Sequence, residues 1–340
     1  MEIETLLNKI AMPQEAARRV AALSRELAQT LRDAAAKRAF DEAGALLCGE
    51  RSAGEKQWSE GLRRMNEFLE ETFGKPEQSA AAAQVNEQED AVQAGVPTVS
   101  QRAAAQVGQA VTPPVAQEAG LRMLTAQLFL AGTNSWEAYA AAGIGETVFF
   151  ETMACFSRFV AEHLESTGRV GFDRMFWTPR QLSLRLFRIG TLEYELADVA
   201  AGRRIHVHIP GDADLSREAL RGSLEAARVF LGRFYPEWAD APFWCESWLL
   251  SPALPRLLPP TSRILIFQSG FALDREVPEA TDYLEWVYKM TPLQQERVGK
   301  NLTREALGAL PERTSLQRTM KAYLLQGGKV GVGEGTLRGW

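Results

Sequence analysis

The chain's 340 residues suffice for about two domains at roughly 150 residues each, and a hydrophobic content of 46% supplies a core for both. The net charge of −5 argues against nucleic acid as a partner, and there is no run of about 18 apolar residues to cross a membrane. MEIETLLNKI places Glu2 and Glu4 where a signal peptide would be basic. Cys48, Cys155 and Cys245 are odd in number and widely spaced, which predicts reduced thiols in a cytoplasm rather than a disulfide framework.

Residues 13–75 read as helices. Pro13 to Cys48 is rich in Ala, Arg, Leu and Glu, and Leu62, Met65, Phe68, Leu69 and Phe73 recur at helical spacing until Gly74 stops the pattern. Residues 76–117 change character. Ala, Gln, Val, Glu and Pro dominate, no aromatic residue occurs and no apolar stripe forms, which predicts a flexible linker or insertion ending at Pro113-Pro114. Helical sequence returns over 119–165. Ser135 or Asn134 is placed to cap a helix through Ala142, and Gly143-Ile144-Gly145 turns into a second helix with Phe149, Met153, Phe156 and Val160 on one face. That outline is also a DNA-binding helix-turn-helix. Glu146, Glu151 and Glu162 against Arg158 alone would repel phosphates, so the phenylalanine-rich helix belongs against a core.

From Thr178 the pattern becomes α/β. Pro179 through Ile189 reads as a helix ended by Gly190. Thr191–Leu196 alternates as a strand, and Ile205–Ile209, closed by Pro210, alternates as the next. Ile205, Val207 and Ile209 then share one face, and His206 and His208 the other. The chain holds three histidines. Two on one strand face, beside Glu193 and Glu195 if the strands pair as a hairpin, mark a candidate site. Asp214 or Ser216 caps a helix through Tyr235, with Leu220, Leu224, Ala227, Phe230, Leu231 and Phe234 as its buried stripe. Phe243–Leu250 is a strand pattern, Ser251–Leu258 a short helix, and Arg263–Phe267 an apolar, hence central, strand. Helix resumes near Glu279. Thr314 and Gln317 form a capping box for a helix through Leu325, which Gly327 ends. The segment Gly327–Gly335 lacks the GK[ST] ending of a phosphate loop and reads as a final strand whose glycines admit another backbone.

Five segments, YAAAGIGETVFFETM (139–153), RQLSLRLFRIGTLEYEL (180–196), HVHIP (206–210), CESWLLSPALPRLLPP (245–260) and LPERTSLQRTMKAYLLQGGKVGVGEG (310–335), resemble the bacterial acyltransferase domain-containing proteins. The resemblance covers residues 119–340. It implies an α+β chain with an all-helical N-terminal domain over 1–178, holding the 76–117 segment, and a GNAT-like (acyl-CoA N-acyltransferase) mixed-sheet domain over 179–340. It implies acyl transfer from acetyl-CoA or a longer acyl-CoA to a small amine, without a metal. In such a fold the coenzyme lies in a splay between the fourth and fifth strands. Its pyrophosphate sits on backbone N–H groups at the N-terminus of the helix between them, an end that favours anions.

By order, Ile205–Ile209 and Phe243–Leu250 correspond to those strands, and Ile209, Gly211, Ser216, Arg217 and Arg221 to the coenzyme contacts. His208 is the candidate base or substrate contact, or else an ordinary hydrogen-bonded sheet histidine. Glu193 and Glu195 orient or tune it, or else form a solvated or salt-bridged face. Many such enzymes protonate the leaving thiolate with a tyrosine after the fifth strand; here none follows, and Ser247, Ser251 or water would have to serve. The loop from Pro210 to Ser216 departs from the usual pattern, with one glycine and with Asp212 and Asp214 where a pyrophosphate would lie. That departure supports a rival, a non-catalytic ligand-binding or regulatory module that kept the fold and lost the coenzyme. Cys245 with His206 and His208 lacks metal-ligand spacing, and a buried strand thiol is inert as a nucleophile. Trp238, Phe243, Trp244 and Trp248 are expected mainly in the core.

Overall fold

The computed structural model describes residues 1–48, 55–74, 114–199, 202–290, 295 and 302–340. Among these, the residues up to Phe187 form one compact unit and those from Arg188 onward another. Most of the 76–117 segment, residues 76–113, lies outside the described residues. Its last four positions belong to the helix Pro114–Leu130, where proline's fixed φ suits the first turn.

The first unit is helical. Its helices Gln14–Thr30, Ala34–Cys48, Glu55–Phe73 and Pro114–Leu130 bury Leu27, Phe40, Leu47, Met65, Phe68, Met123 and Leu130 in one cluster. Phe149, Met153, Phe156 and Val160, from the helices Glu146–Met153 and Cys155–Thr167, are fully buried, as a core face should be. The expected cap at Ser135 or Asn134 does not form. The helix from Pro114 runs on through a wider π turn, Ala131–Ser135, into Trp136–Ala141, and Ser135 keeps helical dihedrals. A capping residue needs extended dihedrals; Ser135 Oγ instead donates to the Leu182 carbonyl at 2.8 Å.

The second unit is built on a six-stranded mixed sheet. Its strands are β1 Leu186–Ile189, β2 Leu192–Val199, β3 Gly202–His208, β4 Phe243–Ser247, β5 Phe271–Val277 and β6 Val332–Leu337, in the spatial order β1-β2-β3-β4-β6-β5. The helix expected over Pro179–Ile189 is only Pro179–Leu182. Leu184 turns with φ +56° and β1 follows, because the Gly190 turn (φ +64°) feeds β1 directly into β2. The expected strand Arg263–Phe267 is a helix, Arg263–Gln268, with Ser262 Oγ accepting from Ile264 N as its cap. Periodicity does not separate a short apolar run in a strand from one in a helix. The strand comes next, as the exposed edge strand β5. The strand expected to reach Leu250 stops at Ser247, where the chain tightens into a 3₁₀ turn, Trp248–Leu250. Helix resumes at Tyr283–Trp286 rather than at Glu279.

Other expectations hold. Thr314 and Gln317 form the reciprocal capping box of the helix Ser315–Leu325. In β6 a side chain on Gly333 would run into the Leu250 carbonyl oxygen, and one on Gly335 would lie 2.8 Å from that of Ala272. The helix Arg217–Phe234 packs Leu220, Ala227, Phe230 and Leu231 inward as expected, with Ser223 joining them, while Leu224 and Phe234 are only half-buried. It covers the apolar sheet face of Leu192, Tyr194, Ile205 and Val207, and Tyr194 OH lies 2.9 Å from Ser223 Oγ. Among the described residues no helix is long and apolar enough to cross a membrane.

Candidate active site

Strands β2 and β3 pair antiparallel, with Glu193 opposite His208 and Glu195 opposite His206. Opposed residues point the same way, so the two carboxylates and two imidazoles share the sheet face away from the helix Arg217–Phe234. The diagonal pair makes the bond. His208 Nε2 lies 2.9 Å from Glu195 Oε2, and the side chains are 25% and 10% exposed. Glu193 and Glu195 are buried, so of the two expected forms of this face the solvated one fails and the salt-bridged one holds at Glu195. The pleat directs both inward, and Glu195 meets the imidazole there. His206 packs its ring against Trp244, with centroids 4.7 Å apart.

The neighbouring strand opens beside this pair. β3 and β4 run parallel and pair at Ile205–Phe243 and His206–Trp244. Beyond that point no ladder joins Val207 or His208 to β4, although β4 continues to Ser247 against Gly333 of β6. The result is a wedge between two parallel strands with His208 at the end of one side.

The loop after β3 leads to a capped helix. Ser216 has extended dihedrals and its Oγ accepts from Ala219 N, at the start of an 18-residue helix. Ile209 is half-buried just past the strand end, and Gly211, Arg217 and Arg221 are exposed. Arg221 lies 4.0 Å from Glu225. The two aspartates both have cationic partners. Asp212 Oδ1 accepts from Arg188 Nη1 at 2.9 Å. Asp214 accepts from Ser216 N at 2.9 Å and from Arg263 Nη1 at 3.0 Å. The Ser216 bonds, with Arg263 a smaller contribution, hold the Asp214 carboxyl below the usual range.

Ser247 sits at the end of β4, and its Oγ accepts from Leu249 N at 3.1 Å. Alternation puts it with Phe243 and Cys245, on the face opposite His208. The same parity separates Cys245 from His206 and His208. Cys245 is fully buried, and burial pushes its thiol well up. Among the described residues no group of three His, Cys, Asp or Glu could hold a metal. Trp238, Phe243 and Trp248 are buried and Trp244 half-buried. Sequence reading missed Arg188 and Arg263. Each stands in a segment whose secondary structure was misread, and each reaches the loop only through the fold.

Residues 64–184 match an N-acyltransferase N-terminal domain and residues 186–337 a GNAT-like C-terminal domain. No curated protein matches the chain. Among solved structures, it is similar to a mutant acyltransferase in complex with octanoyl-CoA, at 22% identity and a TM-score of 0.63 over 99% of this chain and 87% of that one. It is similar to an acyltransferase in complex with decanoyl-CoA and teicoplanin, at 22% identity and a TM-score of 0.57 over 99% of each chain. A third, an acyltransferase in complex with decanoyl-CoA, is 20% identical with a TM-score of 0.58 over the full length of both. At such identities the likeness establishes the fold.

Proposed function

The chain belongs to the acyltransferases that join an N-acyltransferase N-terminal domain to a GNAT-like C-terminal domain, and from that premise we propose that it moves an acyl group from acyl-CoA to an amine. The observation that carries this reading is the wedge between β3 and β4 with the His208–Glu195 pair at its end. The thioester lies in the wedge, its pantetheine amides taking the backbone groups that the strands no longer share. The pyrophosphate rests against Gly211 and the first turn at Ser216, with Ile209 beneath the chain and Arg217 and Arg221 at the rim.

The acceptor arrives as an ammonium and must lose a proton. Glu195, a carboxylate, accepts from His208 Nε2–H and so selects the tautomer with its lone pair on Nδ1. Nδ1 takes the proton, and Glu195 stabilises the imidazolium that results. Glu193, directly opposite, adds negative potential to the same end. The amine nitrogen then attacks the thioester carbon. The C–N bond forms and gives a zwitterionic tetrahedral intermediate. It collapses with loss of the C–S bond, the second proton of the nitrogen passes to the leaving thiolate, and the first leaves His208 for solvent. Ser247, one of the expected donors, stands on the sheet face opposite His208, so the proposed source of the thiolate's proton is the second N–H of the attacking nitrogen.

The acyl chains held by the similar structures make octanoyl- and decanoyl-CoA the first donors to try beside acetyl-CoA. Small amines are the first acceptors and teicoplanin the second. The rival, a binding module without coenzyme, rested on Asp212 and Asp214; an arginine at each removes that objection. Calorimetric titration with the acyl-CoA series, followed by thiol release with each amine, tests the proposal. Binding without turnover on any amine would favour the binding module, and absence of binding would remove acyl-CoA from the account.

A further inference from the structure

Two arginines outside the expected coenzyme segment are tied to the two aspartates inside it. Arg188, on β1, donates through Nε to the Gly190 carbonyl at 2.7 Å and through Nη1 to Asp212 at 2.9 Å. Arg263, the first residue of the helix Arg263–Gln268, reaches Asp214 at 3.0 Å. The contacts span 24 and 49 residues of sequence. On the loop and the first turns of the following helix, Asp212, Asp214, Glu218 and Glu225 oppose Arg217 and Arg221, a local charge of −2. Arg188 and Arg263 bring it to zero.

Resting on the acyl-CoA reading above, we infer that Arg188 and Arg263 are positioning residues for the coenzyme, acting through Asp212 and Asp214. Paired, each aspartate has its negative charge offset by a guanidinium, although Asp214 also keeps the Ser216 N–H for itself, and the loop repels a diphosphate less. Unpaired, each would repel that diphosphate. Asp212, Asp214 and Arg263 are more than half exposed, and exposed ion pairs contribute little to stability. Their effect on an anion brought to the same loop is larger, because a diphosphate carries two charges and comes close to both carboxylates.

The test uses the whole protein, coenzyme A itself as probe and isothermal titration as readout. Arg263→Ala is expected to weaken binding roughly tenfold, which is one decade of Kd. Asp214→Asn, whose amide oxygen can still accept from Ser216 N, is expected to tighten it. The double variant Arg263→Ala/Asp214→Asn is expected to bind like the native protein. Arg188→Met, Asp212→Asn and their double variant should repeat the pattern, and all these differences should shrink in salt of about 0.5 M. If Arg188→Met fails to fold because Gly190 loses its donor, the Arg263 series decides alone. A double variant as weak as its arginine single would mean that the arginine holds phosphate directly, and would overturn the inference. Unchanged binding in every variant would overturn it too, leaving acyl-CoA use intact. Absence of binding by the native protein would remove both.

Discussion

Replacing His208 by glutamine separates proton transfer from structure. A glutamine amide can keep a hydrogen bond to Glu195, which is about nine-tenths buried, while it removes the base. Loss of a positioned base costs about 10²–10⁴ in rate. Exchange of a charge-assisted bond for a neutral one costs about 1 kcal/mol of stability, or roughly 2–4 °C in melting temperature for a domain of this size. Alanine is the poorer probe. It removes both the base and the hydrogen bond to Glu195, so it does not separate the two roles. The assay is thiol release at saturating acyl-CoA with a responsive amine, run beside calorimetric binding and thermal melts. His208→Gln should lose at least a hundredfold in kcat with Kd for acyl-CoA within about threefold of native. Glu195→Gln should lose less, about 5- to 30-fold, since it removes only about 1–2 kcal/mol of imidazolium stabilisation. A His208→Gln enzyme within threefold of native turnover would refute the assignment, as would a loss carried wholly by Kd.

Cys245 is fully buried with its thiol pushed well up, and burial pushes the Cys48 thiol up to about 12. Cys245 should therefore react with a thiol reagent only on unfolding, and its rapid native labelling would contradict its place against the core. Gly333→Ala should destabilise by about 1–3 kcal/mol, the cost of overpacking, because the new methyl meets the Leu250 carbonyl; a melting temperature equal to native would show that the backbone yields there. Glu246 lies opposite Glu334 on the neighbouring strand. Burial first, then the Glu334 and Asp282 carboxylates, raise its pKa, against a smaller opposing effect of Arg275. A raised acid holds its proton longer in the folded state, so it lowers stability as pH climbs from about 4 through the raised value. Glu246→Gln should thus melt higher than native at pH 7 and equal to native below about pH 4. A gain of the same size at both pH values would trace it to packing instead.

Much of this site was legible in the residues. A strand's period of two placed His206 and His208 on one face and Ile205 and Val207 on the other, and that arrangement holds because the pleat is a property of the local backbone. Ser216 and the Thr314–Gln317 box marked helix starts for an equally local reason, since a cap bonds to amides two or three residues away. Other features waited for the fold. The apolar run 263–267 had no local arbiter between helix and strand. Glu193 and Glu195 read as a solvated or salt-bridged face, and only the register of β2 on β3 set Glu195 against His208. The wedge beside His208 depends on where β4 leaves β3 to follow β6, a strand that arrives about 90 residues later in the chain. The pairs Arg188–Asp212 and Arg263–Asp214 offset the negative charge read for the loop after β3. A charge in sequence has a sign but no neighbour, and it is the closing of those long loops that supplies one.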